Sequence, residues 1–182
     1  IRKSSEKSSI YPMFFKTRIP SISLRNTEDA MRDYFKFPFI PPFWLLAAVI
    51  VMVTLDKIPK QLLILNSPLN NIGWLLIVGG LAIALYVDLI FKRQGTTILP
   101  FRSATSLVTI GPFRYSRNPI YTGMVTALLG LALTLGKLLP ILVLPVFIWT
   151  IQHCFIRHEE ADLEETFGAD YRNYKSRVRR WI

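Results

Sequence analysis

Cysteine is nearly absent. The single Cys154 cannot close a disulfide within the chain, and such usage says nothing about redox compartment. Histidine is almost as rare, present only as His153 and His158. Helical histidine ligands usually stand four apart, whereas these stand five apart, roughly 140° around a helix. No metal site is expected from them. Charge is scarce too, at 19% of residues, and acids are the scarcer sign: 12 Asp and Glu against 22 Lys and Arg, for a net charge of +10. Low charge with 51% hydrophobic residues in a chain of 182 excludes a disordered polyelectrolyte and suits one domain. A basic excess of this size fits either nucleic acid or an anionic membrane surface. The placement of the apolar residues decides between them. Residues 1–9 are polar and basic with no apolar stretch behind them, so no signal peptide is expected at this start.

The apolar residues lie in four long runs. The first spans 37–55 and closes on Asp56-Lys57; the second spans 72–91 and closes on Lys92-Arg93. The third and fourth, 119–136 and 138–156, are separated only by the Gly136-Lys137 junction. A membrane-spanning helix needs about 20 mostly apolar residues. A soluble amphipathic helix would show a polar face every turn, and these runs show none. Alternating strands of a membrane barrel are missing as well. The expected fold class is therefore an all-α integral membrane protein with about four transmembrane helices. Asp88, in the last turn of its run, is expected to pair with Lys92 at i+4.

Orientation follows from the basic residues. Segments 1–39, 92–118 and 157–182 together hold 19 Lys and Arg, whereas the two remaining connections hold three, Lys57, Lys60 and Lys137. Basic residues gather on the cytoplasmic side of membrane proteins. Both termini and the 92–118 loop are thus expected in the cytoplasm, with the charge explained by anionic headgroups rather than nucleic acid. Residues 1–36 form a basic N-terminal segment, in which Asn26 or Thr27 can cap a short interfacial helix. Residues 37–182 form the membrane domain, and membrane lipids are its expected partners. Oligomeric state is not legible.

Two segments carry more than orientation. The first runs from Gly95 to Gly123, too long and too rich in special residues for a plain connector. Gly111-Pro112 marks a turn, and Asn118-Pro119 marks the entry to the third helix, with proline in its first turn. The second is the end of the fourth helix, where His158, Glu159 and Glu160 stand just past the last apolar residue, Ile156. That helix is expected to continue to Gly168, a natural stop. Its acids could simply be a solvated face, with Glu160 paired to Arg157 three residues back.

These segments read L-V-T-x-G-x-F-x-x-x-R-N-P-x-Y from Leu107 to Tyr121 and, 38 positions later, E-E-x-x-L-x-x-x-F-G-x-x-Y-x-x-Y from Glu159 to Tyr174. Taken together the chain resembles the integral-membrane S-adenosylmethionine-dependent methyltransferases, the isoprenylcysteine carboxyl methyltransferase and phospholipid methyltransferase families, and most of all their small bacterial members. The resemblance covers the half from Gly95 to Trp181. It implies a cofactor pocket at the cytoplasmic surface formed by the C-terminal half, in the inner membrane of a bacterium. Carried over position by position, it implies cofactor contacts from Thr105, Ser106, Leu107, Val108, Phe113, Asn118, Pro119, Ile120, Tyr121 and Glu159. The chain departs from the prenylcysteine enzymes at Asn118 and Thr105, where those carry His, and at Phe155, where those carry a substrate-binding Arg. A prenylcysteine carboxylate acceptor is thereby put in question.

The residue types suit the implied chemistry. Carboxylates can bind the cofactor's ammonium or ribose hydroxyls, and aromatic faces such as Phe113 and Tyr121 attract its sulfonium. Arg117, Arg157 and Glu160 are the catalytic candidates. Arg117 can hold the cofactor carboxylate or an acceptor headgroup, or can equally be a belt arginine reaching lipid phosphates. Arg157 can contact cofactor or acceptor, and Glu160, like Tyr121, can take a proton from a neutral amine. The acceptor implied is lipidic or small and amphipathic. Competing readings are a phospholipid amine N-methyltransferase, a non-catalytic four-helix lipid- or partner-binding protein, and a membrane reductase on a related scaffold.

Overall fold

The computed structural model describes residues 41–93 and 107–182. The N-terminal segment 1–36, with Asn26 and Thr27, lies outside the described residues, as do residues 37–40 of the first run and the loop stretch 94–106 with Thr105 and Ser106.

Among the described residues the secondary structure is helical, with no strand beyond one isolated bridge between Leu63 and Lys137. Helix α1 spans Pro41–Asp56 and α2 spans Ile72–Arg93, entered through a 3-10 turn at Leu69–Asn71. A second 3-10 turn, Gly111–Arg114, precedes α3, Pro119–Leu135. Then α4, Leu138–Ile141, and α5, Val143–Ile151, lead into a π-helical turn, Gln152–Ile156. Helix α6 continues from it over Arg157–Phe167, and α7 covers Ala169–Arg177. Gly168, at φ +51, breaks the rod between these two, a conformation that side chains with a Cβ seldom adopt.

Two helices are long and apolar enough to cross a membrane: Leu69–Arg93, of 25 residues, and the continuous rod Leu138–Phe167, of 30. The other two apolar helices are shorter, 16 residues in α1 and 17 in α3. Of the four expected spans, then, two reach full length by themselves. The chain is a membrane protein by this measure and by what it exposes. Leu75 is 73% exposed, Leu85 67% and Val146 64%, on faces with no polar partner to offer water.

The core is built where the helices meet. Met52 of α1, Leu128 and Ala132 of α3, Ile151 of α5 and Phe155 and Ile156 of the π turn are all almost fully buried in one cluster. The tightest contact joins α2 and α3, antiparallel, through two glycine pairs. Gly80 faces Gly123, and Gly73 faces Gly130; a methyl group on any of the four would run into the opposing backbone. Small residues let helix backbones approach closely where lipid supplies no hydrophobic drive. At the far end from the site, Lys137 bonds Asp56 through both its side chain, at 2.9 Å, and its carbonyl, at 2.6 Å. Asp88 pairs with Lys92 at 2.6 Å, as the spacing predicts.

Candidate functional site

The fold brings the two informative segments together. Gly111, at φ +60, sits against Ile90 of α2 and starts the turn that directs Phe113 inward. The Phe113 ring meets Phe91 edge-on at 5.5 Å, and its carbonyl accepts a 2.7 Å hydrogen bond from the Tyr174 hydroxyl of α7. The 3-10 turn is thereby clamped between α2 and α7. Pro119 then opens α3 at its first position, which fixes where Tyr121 emerges.

Tyr121 and Glu159, 38 residues apart in sequence, are joined by a 2.6 Å hydrogen bond from the tyrosine hydroxyl to Oε1 of the carboxylate. Behind them lies a hollow of about 70 Å³. Phe91 lines it from α2, Leu107 and Val108 from the stretch before the turn, Phe113 from the turn, Asn118 from the entry to α3, and Glu159 and Glu160 from α6. Arg117, Leu163, Tyr171 and Tyr174 complete the wall. Pockets for drug-sized ligands run to roughly 300 Å³ or more. A nucleoside-sized ligand therefore needs these walls to part.

The electrostatics are unusual for so small a space. Glu159 stands three residues past Ile156, where the apolar run of its rod ends. Burial pushes its carboxyl up to about 7; the Tyr121 hydroxyl pulls it back, while Asp162 and Glu160 raise it further. Glu160 is buried and lies between two guanidinium groups. Arg180 holds both of its oxygens, Nε to Oε1 at 3.0 Å and Nη2 to Oε2 at 2.6 Å, and Glu160 in turn raises the Arg180 guanidinium further above its ordinary value. Arg117 approaches Oε1 only through Nη2, at 3.3 Å. Its Nε and Nη1 are buried and find no hydrogen-bond partner. The Tyr171 hydroxyl stands close to the same cluster, also without a bond of acceptable geometry. Burial pushes that phenol up to about 12, with Glu160 adding to the shift and Arg117 opposing it.

Of the residues singled out in the sequence, the structure gathers Leu107, Val108, Phe113, Arg117, Asn118, Glu159 and Glu160 on the hollow; Tyr121 does not line it but bonds Glu159, which does. Pro119 and Ile120 do not line it: Pro119 is a buried helix start and Ile120 packs on the core. Arg157 is exposed and stands away from it. The i, i+3 pairing of Glu160 with Arg157 does not form, because α6 turns Glu160 inward to Arg117 and Arg180. Asn118 does not cap α3 with its side chain; its Nδ2 instead donates to the Arg180 carbonyl at 3.1 Å. His153 bonds its own helix, Nδ1 to the Trp149 carbonyl at 2.8 Å.

Arg180, Tyr171 and Tyr174 were not among the expected site residues. The two tyrosines had a signal, their i, i+3 spacing on a segment already tied to the acidic pair. Arg180 had none, since it stands among Arg177 and Arg179 in a run that reads as solvated charge.

Residues 69–170 match the phospholipid methyltransferase family. An uncharacterized protein of Haemophilus influenzae is 41% identical over 63 residues, which are 35% of this chain and the whole of that protein. Methanethiol S-methyltransferase 1 of Bradyrhizobium diazoefficiens is 33% identical over 109 residues, 58% of this chain and 37% of that enzyme. Protein-S-isoprenylcysteine O-methyltransferase of Schizosaccharomyces pombe is 35% identical over 72 residues, 40% of this chain and 30% of that enzyme. The aligned stretch thus spans only about a third of the length of either named enzyme. No solved structure matches the chain. The family match covers more than half of the sequence, and the chain belongs to the phospholipid methyltransferase family.

Proposed function

Taking that membership as the premise, we propose that the chain transfers a methyl group from S-adenosylmethionine to a lipidic or small amphipathic acceptor at the cytoplasmic edge of a bacterial inner membrane. The observation that carries the proposal is one hollow lined by both Glu159, held from behind by Tyr121, and an Arg117 with unfilled donors.

The residues present suit the donor. Arg117 has two buried N–H groups that make no hydrogen bond, and a carboxylate is the group that fills a guanidinium fork best. The donor's amino-acid tail ends in one. Glu159 offers the complementary anion to its ammonium or to ribose hydroxyls. Phe113 and Tyr121 supply ring faces for a positively charged sulfur. When bound, S-adenosylmethionine supplies an activated methyl group on that sulfur. The protein's work is then to align two reactants and keep water out. Arg117 and Glu159 fix the tail, and the apolar wall of Leu107, Val108 and Leu163 excludes solvent. No strong base is required where the acceptor is already anionic.

The membrane arrangement belongs to the same proposal. Helix α1 rises about 24 Å and α3 about 25 Å at 1.5 Å per residue, enough to cross with modest thinning of the bilayer. Four spans with both termini cytoplasmic agree with the 19-to-3 division of basic residues. The rod Leu138–Phe167 is about 45 Å long, so its acidic end projects beyond a hydrocarbon layer of about 30 Å. A water-soluble donor reaches that end from the cytosol, and a greasy acceptor reaches it from the bilayer. The relatives named for methanethiol and isoprenylcysteine point to a sulfur-bearing or prenylated acceptor class. Isothermal titration of the purified protein with S-adenosylhomocysteine tests the reading: saturable binding is expected, and a folded protein that does not bind overturns it.

A further inference from the structure

The segment Val178–Trp181 is tied to the site at more points than its sequence suggests. It leaves α7, crosses the turn before α3 and reaches the π turn. The Arg179 carbonyl accepts from the Arg117 amide at 2.9 Å. The Arg180 carbonyl accepts from the Ser116 hydroxyl at 3.3 Å and from Asn118 Nδ2 at 3.1 Å. The Trp181 indole donates to Gln152 Oε1 at 3.2 Å. Three of these four bonds use the strap's main chain, so its path does not depend on the Arg180 side chain.

That side chain has a separate task. Glu160 is the carboxylate facing Arg117, and an uncommitted Glu160 would take Arg117 bidentately, the strongest geometry open to such a pair. Arg180 prevents this by engaging both Glu160 oxygens, at 2.6 and 3.0 Å, and leaves Arg117 one 3.3 Å contact. Two guanidinium groups share the Glu160 carboxylate, and the donors left unfilled, Nε and Nη1, are those of Arg117.

We infer that Arg180 is a positioning residue: by occupying Glu160, it keeps Arg117 free to bind the carboxylate of the cofactor. The inference rests on the methyl-donor reading above and goes beyond it in assigning a device that sets anion affinity from outside the hollow. It also explains why an arginine serves here, since its planar fork matches both carboxylate oxygens in one fixed geometry and a lysine ammonium does not.

The test uses two ligands with the whole chain in nanodiscs: S-adenosylhomocysteine, and its analogue with hydrogen in place of the α-carboxylate. In Arg180→Gln, Glu160 closes on Arg117, and S-adenosylhomocysteine is expected to bind about tenfold more weakly. The analogue, which never used Arg117, changes by less than about twofold. Adding Glu160→Gln to Arg180→Gln removes the competing carboxylate and restores the affinity for S-adenosylhomocysteine. Arg180→Lys, which preserves the charge and guards against a misfolded glutamine variant, falls between. Equal weakening of both ligands, or no recovery in the double variant, reduces Arg180 to a structural tie and overturns the inference. A native protein that binds neither ligand overturns the methyl-donor reading itself.

Discussion

Proton binding at Glu159 should govern affinity for the cofactor in a range of pH where most carboxylates are inert. Its carboxyl is raised to about 7, chiefly by burial. At pH 8 about nine-tenths of the protein carries the carboxylate, and at pH 6 about one-tenth. A ligand that needs the anion therefore loses about tenfold in affinity between those values. The assay is titration with S-adenosylhomocysteine at half-unit steps from pH 5.5 to 8.5. Two variants identify the group. Glu159→Gln should bind weakly with a flat profile, which separates the carboxylate from His153 and His158, both intact in that variant. Tyr121→Phe removes the 2.6 Å hydrogen bond that pulls the carboxyl down. Its midpoint should therefore move to higher pH. Stability runs the other way. The folded-state value lies above the unfolded one, so the contribution of this group is fully present below about 4.5 and is lost as pH rises through about 7. At most about 3 kcal/mol is involved, less whatever solvent reaches the half-buried group. The ligand-free protein should thus melt lower at pH 8 than at pH 6, and added ligand should raise the melting temperature more at pH 8. A native profile flat from pH 6 to 8, or a sloping one retained in Glu159→Gln, would refute the reasoning.

Neighbouring glycines should respond with opposite signs: Gly80→Ala drives a methyl into the Gly123 carbonyl and should cost about 1–3 kcal/mol, whereas Gly79→Ala meets open space and should be neutral or slightly stabilising. Denaturant or thermal melts in one detergent check both, and a stable Gly80→Ala would contradict the close packing of α2 on α3. Asn118→Ala removes one bond to the Arg180 carbonyl while Ser116 still reaches it, so a loss of about 1 kcal/mol in stability is expected, with weaker S-adenosylhomocysteine binding. Unchanged binding would make Asn118 a wall residue alone. Asp88→Asn breaks an exposed i, i+4 pair and should shift the melting temperature by no more than the equivalent of about 0.5 kcal/mol, leaving ligand binding intact.

Local patterns told the sequence reader a good deal. Runs of apolar residues without a polar face announce helices that lipid can surround, and Pro119 and Gly168 mark where α3 begins and α6 ends, because φ preferences act within one or two residues. The Asp88–Lys92 pair was legible for the same reason. The two motifs marked which segments matter, and the family resemblance they carry implied a methyl-donor site there. What could not be read was who faces whom. The i, i+3 spacing offers Glu160 the neighbour Arg157 on its own helix, but the fold pairs it with Arg117 and Arg180 instead. Arg180 looks like any basic residue near the inner leaflet until the strap lays it across Glu160. Pairings between residues 20 to 60 positions apart arise from how helices pack and rotate, and no short-range pattern encodes them. Tertiary structure alone decided that Arg117 is left with unfilled donors beside a carboxyl of raised affinity for protons.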